Sequence, residues 1–177
     1  MKTLSLRLIA ILTVALSLGA CAPQPRRAAF DESAFVPYAH AGSATITGTA
    51  FTVLRDNKHE RVASRNAVIK LMPANAYTDE IASRHYYDRV KLEPPDPRLA
   101  KYVRRVNPDD DGHFTFSHLP AGTYYVSCHL KWTYPSSYTD SDGTIWNTDI
   151  DQDQHIYARV SVGSGQTAHV EEWTQGK

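Results

Sequence analysis

Asn107 to His118 reads NPDDDGHFTFSH, and its first half has the spacing of a calcium loop. Such a loop needs oxygen ligands at positions 1, 3 and 5, glycine at 6, an apolar residue at 8 and a bidentate glutamate at 12. Asn107, Asp109, Asp111, Gly112 and Phe114 meet the first five demands, and His118 stands where the glutamate belongs. A neutral imidazole does not replace two hard carboxylate oxygens. The exit fails too, because FTFSHL alternates as a strand where a helix is required, so the stretch reads as a solvated turn feeding a strand.

A second acidic stretch, YTDSDGTIWNTDIDQDQ (Tyr138 to Gln154), carries Asp140, Asp142, Asp149, Asp151 and Asp153. Loops of this kind in extracellular β-domains bind calcium weakly, which relieves the mutual repulsion of the carboxylates. An acidic loop is also the ordinary way to keep a connection solvated, and apart from this weak calcium candidate no metal or other cofactor is expected. The eight histidines do not pair at ligand spacing. His113 and His118 flank a strand, while His129 and His169 fall on outward-facing strand positions, so each reads as a surface histidine. Cys128 sits on an apolar strand face between Val126 and Leu130, where a thiol is inert packing.

The remaining constellation is aromatic. Trp132, Tyr134, Tyr138 and Trp146 gather in KWTYPSSYTDSDGTIW (Lys131 to Trp146), where Pro135, Ser136 and Ser137 predict a loop. Exposed rings on a rigid scaffold stack on sugars or anchor a protein, since they offer large area at small entropic cost. The plainer alternative is that these rings cover the open end of a sandwich.

Strands must position these groups. From Ser43 the pattern has period two, the spacing at which successive side chains point to opposite faces. Ser43 to Leu54, Asn66 to Met72, Gly122 to Trp132, His155 to Val162 and Gln166 to Trp173 read as strands. In the third of these, Tyr124, Val126, Cys128, Leu130 and Trp132 share the core face, and Tyr125, Ser127, His129 and Lys131 the other. Gly163-Ser164-Gly165 predicts a tight hairpin between the last two. Ala76 to Arg89 places Tyr77, Ile81 and then His85 or Tyr86 at roughly helical spacing, with Asp79 and Glu80 near the start. A short inserted helix is therefore expected there, ending before EPPDP (Glu93 to Pro97). Short strands with turn signals between them predict an all-β fold, an antiparallel β-sandwich.

The N-terminus predicts export. Lys2 and Arg7 precede an apolar run, Leu8 to Ala20, of signal-peptide length and too short to span a bilayer. Leu18-Gly19-Ala20-Cys21 resembles the lipobox of bacterial lipoproteins, which implies lipidation at Cys21 after removal of residues 1–20. Residues 22–42 then read as a tether without packed elements. Ala22 is not the aspartate that marks inner-membrane retention, so the resemblance implies an outer-membrane protein facing the periplasm or the cell surface. Loss of the signal leaves 17 basic against 19 acidic residues, a net charge of −2, with nothing to steer the chain toward nucleic acid. Once Cys21 is lipidated, Cys128 has no disulfide partner within the chain. The rest, about 155 residues, is enough for one domain, taken as residues 43–177.

Ile46 to Phe51 (ITGTAF), Arg65 to Pro73 (RNAVIKLMP) and Asp109 to Val126 (DDDGHFTFSHLPAGTYYV) resemble a carboxypeptidase regulatory-like domain. The resemblance implies a transthyretin-like Greek-key sandwich, with Phe114 and Phe116 as paired core aromatics, Leu119 anchoring a turn, and Pro120 and Gly122 shaping it. Such domains are mostly non-catalytic. Hydroxyisourate hydrolases of similar fold end in Tyr-Arg-Gly-Ser, where this chain ends EEWTQGK, and intradiol dioxygenases use a His-x-His pair that is absent here. The expectation is a lipid-anchored, non-catalytic binding or structural module of the envelope, with an envelope protein or a glycan as partner. The rivals are a hydrolytic or metal-dependent enzyme with a site in residues 132–177, and a subunit of a secretion or conjugation assembly.

Overall fold

The structure, a computed structural model, describes residues 22–53, 60–63 and 65–176. The signal segment, Cys21 and the end of the first expected strand at Leu54 lie outside these. No described helix is long and apolar enough to cross a membrane.

Two sheets face each other. The smaller has the order β6-β1-β9 and the larger β10-β8-β7-β4-β5. Their strands are β1 (Ala44–Thr49), β4 (Ile69–Pro73), β5 (Arg104–Val106), β6 (His113–Leu119), β7 (Gly122–Thr139), β8 (Ile145–Val162), β9 (Thr167–Val170) and β10 (Thr174–Gln175). A separate ribbon pairs β2 (Phe51–Val53) with β3 (Glu60–Val62). The expected strand from Ser43 therefore breaks at Ala50. There the Ala50 N–H donates to the Gly112 carbonyl and the Ala50 carbonyl accepts from Ala63, at 2.9 and 2.7 Å, so the chain leaves one sheet for the ribbon.

The core between the sheets follows the alternation of the strands. Ile46, Phe114 and Phe116 on one side meet Ile69, Leu71, Val126, Cys128 and Ile156 on the other, all under 5% exposed. Leu119 is fully buried, and the Tyr124 hydroxyl donates to the Pro120 carbonyl at 2.7 Å, which pins the turn into β7. The sandwich is not wholly antiparallel, because β9 pairs in parallel with β1. Gly163 to Gly165 thus forms a crossover between sheets and not a hairpin. Val162 at the end of β8 and Val170 at the end of β9 are both buried in the core between the sheets, so the chain crosses from one sheet to the other there.

The larger sheet is covered on its second face as well. Phe35, Met72, Tyr77, Ile81, Ala82, Tyr86, Leu99 and Tyr125 form a second core, so Tyr125 and Ser127, expected to face out, are buried. Helix α1 (Ala76–Glu80) opens on an Asn75–Thr78 capping box and widens into a π turn (Ile81–Tyr87) in place of a single α-helix to Arg89. Widening brings Tyr86, five residues after Ile81, onto the same buried stripe.

Residues 22–42 are a packed layer and not a tether. Phe35 is fully buried between two short 3-10 turns (Glu32–Ala34 and Val36–Tyr38) and stacks on Phe30 and Tyr102, with centroids 5.0 Å away in each case. Glu80 holds the segment: its carboxylate accepts from the Arg27 and Ala28 N–H groups at 3.0–3.1 Å and pairs with Arg84. Burial works to raise the Glu80 pKa, but these donors outweigh it and leave it lowered.

Candidate functional site

β7 and β8 pair continuously from Gly122↔Val162 to Thr139↔Ile145, so Lys131 to Trp146 is a hairpin and not a loop. The turn is built by Asp140, whose Oδ1 accepts from the Asp142 and Thr144 N–H groups at 3.0 and 2.9 Å, and by Gly143 at φ +80°. Its Oδ2 accepts from Trp146 Nε1 at 2.7 Å. That bond first, and the backbone donors with it, holds the Asp140 carboxyl below its usual range. β4 ends its pairing with β7 opposite Cys128, and β10 covers β8 only at Ile156 and Tyr157. Beyond His129 the hairpin is thus an arm with both edges unpaired, the setting in which a strand tolerates Pro135.

Alternation carries the core face of β7 out along this arm. Trp132, Tyr134 and Tyr138 share that face, and the register sets Trp146 opposite Tyr138 and Ile150 opposite Tyr134. The four aromatics therefore line one side. Trp132 is half-buried against the sandwich core, whereas Tyr134, Tyr138 and Trp146 are 40, 58 and 51% exposed. Rings this exposed do not cover the sandwich end.

The acidic residues do not converge. Asp149, Asp151 and Asp153 alternate along the opposite face of β8, about 6.8 Å apart at each step, too far for one calcium with oxygens at about 2.4 Å. Asp151 accepts from Thr133 Oγ1 at 2.8 Å, and Asp153 pairs with His129. Asp140 and Asp142 lie apart in the turn at the tip. Among the described residues, Asp109, Asp111 and His113 do bring ligand atoms within 4.8 Å, all exposed. Asp109 Oδ1, however, accepts from the Asp111 and His113 N–H groups at 3.0 and 2.8 Å. The His113 N–H is the foremost cause of the lowered Asp109 pKa. Asn107, first in the apparent loop, turns its amide to the Arg65 and Ala67 carbonyls. The motif is a β-turn, with Gly112 at φ +80° passing under Ala50.

The histidines differ most from their reading. His129 pairs in register with His155, and their rings stack at 4.1 Å and 8°. Tyr86 stacks on His155 at 5.2 Å, and His85 lies 5.5 Å from it. Burial, followed by the positive charges of His129 and His85, pushes His155 down to about 4. These rings were missed because they lie 26 residues apart on the chain. Placing the hairpin turn at Asp140-Ser-Asp-Gly143 and counting ten rungs back from Thr139↔Ile145 would have paired them. Of the others, His169 Nδ1 meets Thr47 Oγ1 at 3.0 Å, and His118, at φ 56°, occupies a bulge in β6. Burial pushes the Cys128 thiol up to about 12.

The fold is a two-sheet β-sandwich from which an aromatic arm projects, and a solved structure shares the sandwich. The chain is similar to a Pseudomonas aeruginosa protein, known from its crystal structure, to which carbohydrate binding is ascribed. The two are 26% identical with a TM-score of 0.63, over 81% of this chain and 96% of that one. No protein-family model matches the chain, and no curated protein matches it. The resemblance to carboxypeptidase regulatory-like domains therefore rests on its quoted residues and the sandwich alone.

Proposed function

We propose that the protein is a non-catalytic, lipid-anchored module of the outer membrane, facing the periplasm or the cell surface, that binds a glycan through the aromatic face of the β7–β8 arm. The observation that carries this is the cross-strand pair Tyr138–Trp146, more than half exposed on a two-stranded ribbon. Paired strands hold such rings at fixed spacing without further ordering cost, which suits them to the apolar faces of sugars. The carbohydrate binding ascribed to the similar Pseudomonas protein supports the same class of ligand.

The anchor rests on the lipobox-like Leu18 to Cys21. Gln24 is already fixed to the domain, donating to the Lys91 carbonyl at 2.7 Å and accepting from Glu93 at 2.9 Å. Acyl chains on Cys21 would leave three residues before that point, about 10 Å of chain. The domain would then lie on the bilayer surface.

Glycan-array screening followed by calorimetry tests the binding reading. The Trp146→Ala, Tyr138→Ala double variant should lose more than tenfold in affinity, about 1.4 kcal/mol or more, with an unchanged circular dichroism spectrum. Equal binding by the double variant would remove the arm from the function. Cys21→Ser should move the protein from the membrane to the soluble fraction, and unchanged fractionation would remove the anchor.

A further inference from the structure

Along the outer face of the larger sheet, reaching the base of the aromatic stripe at Trp132, lies a cleft of about 640 Å³. It continues past Lys70, Tyr86, Arg105 and His155 into a second hollow of about 380 Å³ under the π turn. The first volume is within the roughly 300–1,000 Å³ of small-ligand sites. Its floor contains one rung of the sheet, Arg105, Lys70 and Ser127, set side by side by the registers of β5, β4 and β7. Lys131 stands farther along β7, and Trp132 and Val68 supply apolar wall.

The charge of this cleft is one-sided. Lys70, Arg105 and Lys131 line it, and none of its described lining residues is acidic. None of the three makes an ion pair or a side-chain hydrogen bond with a described residue. Lys70 and Arg105 also sit directly opposite each other, a like-charge placement that costs the sheet stability unless an anion joins it. Acids stand beside the cleft: Asp153, opposite Lys131 in the β7–β8 register, is paired with His129, and Asp151 accepts from Thr133. In the adjoining hollow Asp96 is committed to Arg98 and Glu93 is exposed.

We infer that this cleft binds a carboxylate-bearing sugar, a uronic acid unit of an anionic polysaccharide, with Arg105 and Lys70 holding the carboxylate and Trp132 flanking the ring. The guanidinium fork of Arg105 matches a planar carboxylate, and Lys70 adds a point charge. The Ser127 hydroxyl, 3.3 Å from the Tyr86 hydroxyl, and the Asn66 amide are neutral groups suited to sugar hydroxyls. Guanidinium and ammonium groups also bind phosphate, so competition by inorganic phosphate is one arm of the test. The inference rests on the carbohydrate reading and narrows its ligand class. Trp132, at the base of the arm, lies where the cleft and the stripe meet.

The test compares trigalacturonate with its neutral galactose counterpart, by calorimetry on the full chain in mild detergent. Wild type should bind the acidic oligosaccharide at least tenfold more tightly. Lys70→Gln with Arg105→Gln should abolish that preference. Should the double variant fail to fold, amide shift perturbation in the wild type serves instead, and trigalacturonate should move Lys70, Arg105 and Ser127. Equal affinity for acidic and neutral sugars, or shifts confined to the arm, would overturn this inference while leaving the carbohydrate reading standing. Competition by inorganic phosphate as effective as the uronate would overturn it in favour of a general anion site. Binding of neither sugar would overturn this inference, and the glycan array then decides the carbohydrate reading by itself.

Discussion

Replacing Phe35 by alanine tests whether residues 22–42 belong to the domain. Phe35 has no exposed surface and lies between Phe30 and Tyr102 with both centroids at 5.0 Å. Truncating such a ring removes its transfer free energy, leaves a cavity and ends two stacking contacts, about 3–5 kcal/mol in all. A chain of this size loses about 2–4 °C of melting temperature per kcal/mol, so Phe35→Ala should melt about 10 °C lower by circular dichroism. Val36 is the control: its neighbour in sequence but 59% exposed, it should tolerate alanine within about 0.5 kcal/mol. Urea titration at constant m-value would give the same ranking. A Phe35→Ala loss below about 1 kcal/mol would refute the packed layer and restore a free tether of some twenty residues, and with it a domain able to reach well away from its anchor.

Two further predictions concern the sheets. His155 has a folded pKa of about 4 against an ordinary 6.5, so its contribution to stability is complete above pH 6.5 and is lost as pH falls toward 4. The full difference corresponds to about 3 kcal/mol, which solvent reaching a half-buried ring reduces to about 1–2. The stability of His155→Gln should therefore fall less steeply than wild type between pH 6.5 and 4, and parallel pH profiles would refute the assignment. Gly48→Ala would place a Cβ 2.8 Å from Phe114 Cζ and 2.9 Å from Val170 Cβ. It should cost about 1–3 kcal/mol by chemical denaturation, and a neutral result would mean that the small sheet packs less tightly on Phe114.

The proposed binding surface depends on a hairpin that composition disguises. Pro135, Ser136 and Ser137 are loop residues by type, yet β7 runs through them because β8 pairs with it at every rung up to the Asp-Ser-Asp-Gly turn. The aromatic face and the paired histidines both follow from that one register.

What the sequence determined by itself is what local pattern can encode. Period-two alternation marked the core faces, so Phe114, Phe116, Val126 and Cys128 were legible as core and Leu119 as a turn anchor, and all are under 5% exposed. The Asp109 to Gly112 turn was legible because positive φ and side-chain capping are local demands. Tertiary structure alone decided the partners. Alternation states which face is apolar but not what covers it, so it left open that Tyr125 and Ser127 lie beneath α1 and the π turn, where their hydroxyls donate to Asp79 and Tyr86, and that Glu80 holds the N-terminal segment more than fifty residues away. It likewise left open that β9 joins β1 in parallel, that His129 meets His155, and that Lys70 and Arg105 meet on adjacent strands. Pairing between distant segments is settled by how the faces of both sheets are buried together, a property of the whole chain that no short window of sequence contains.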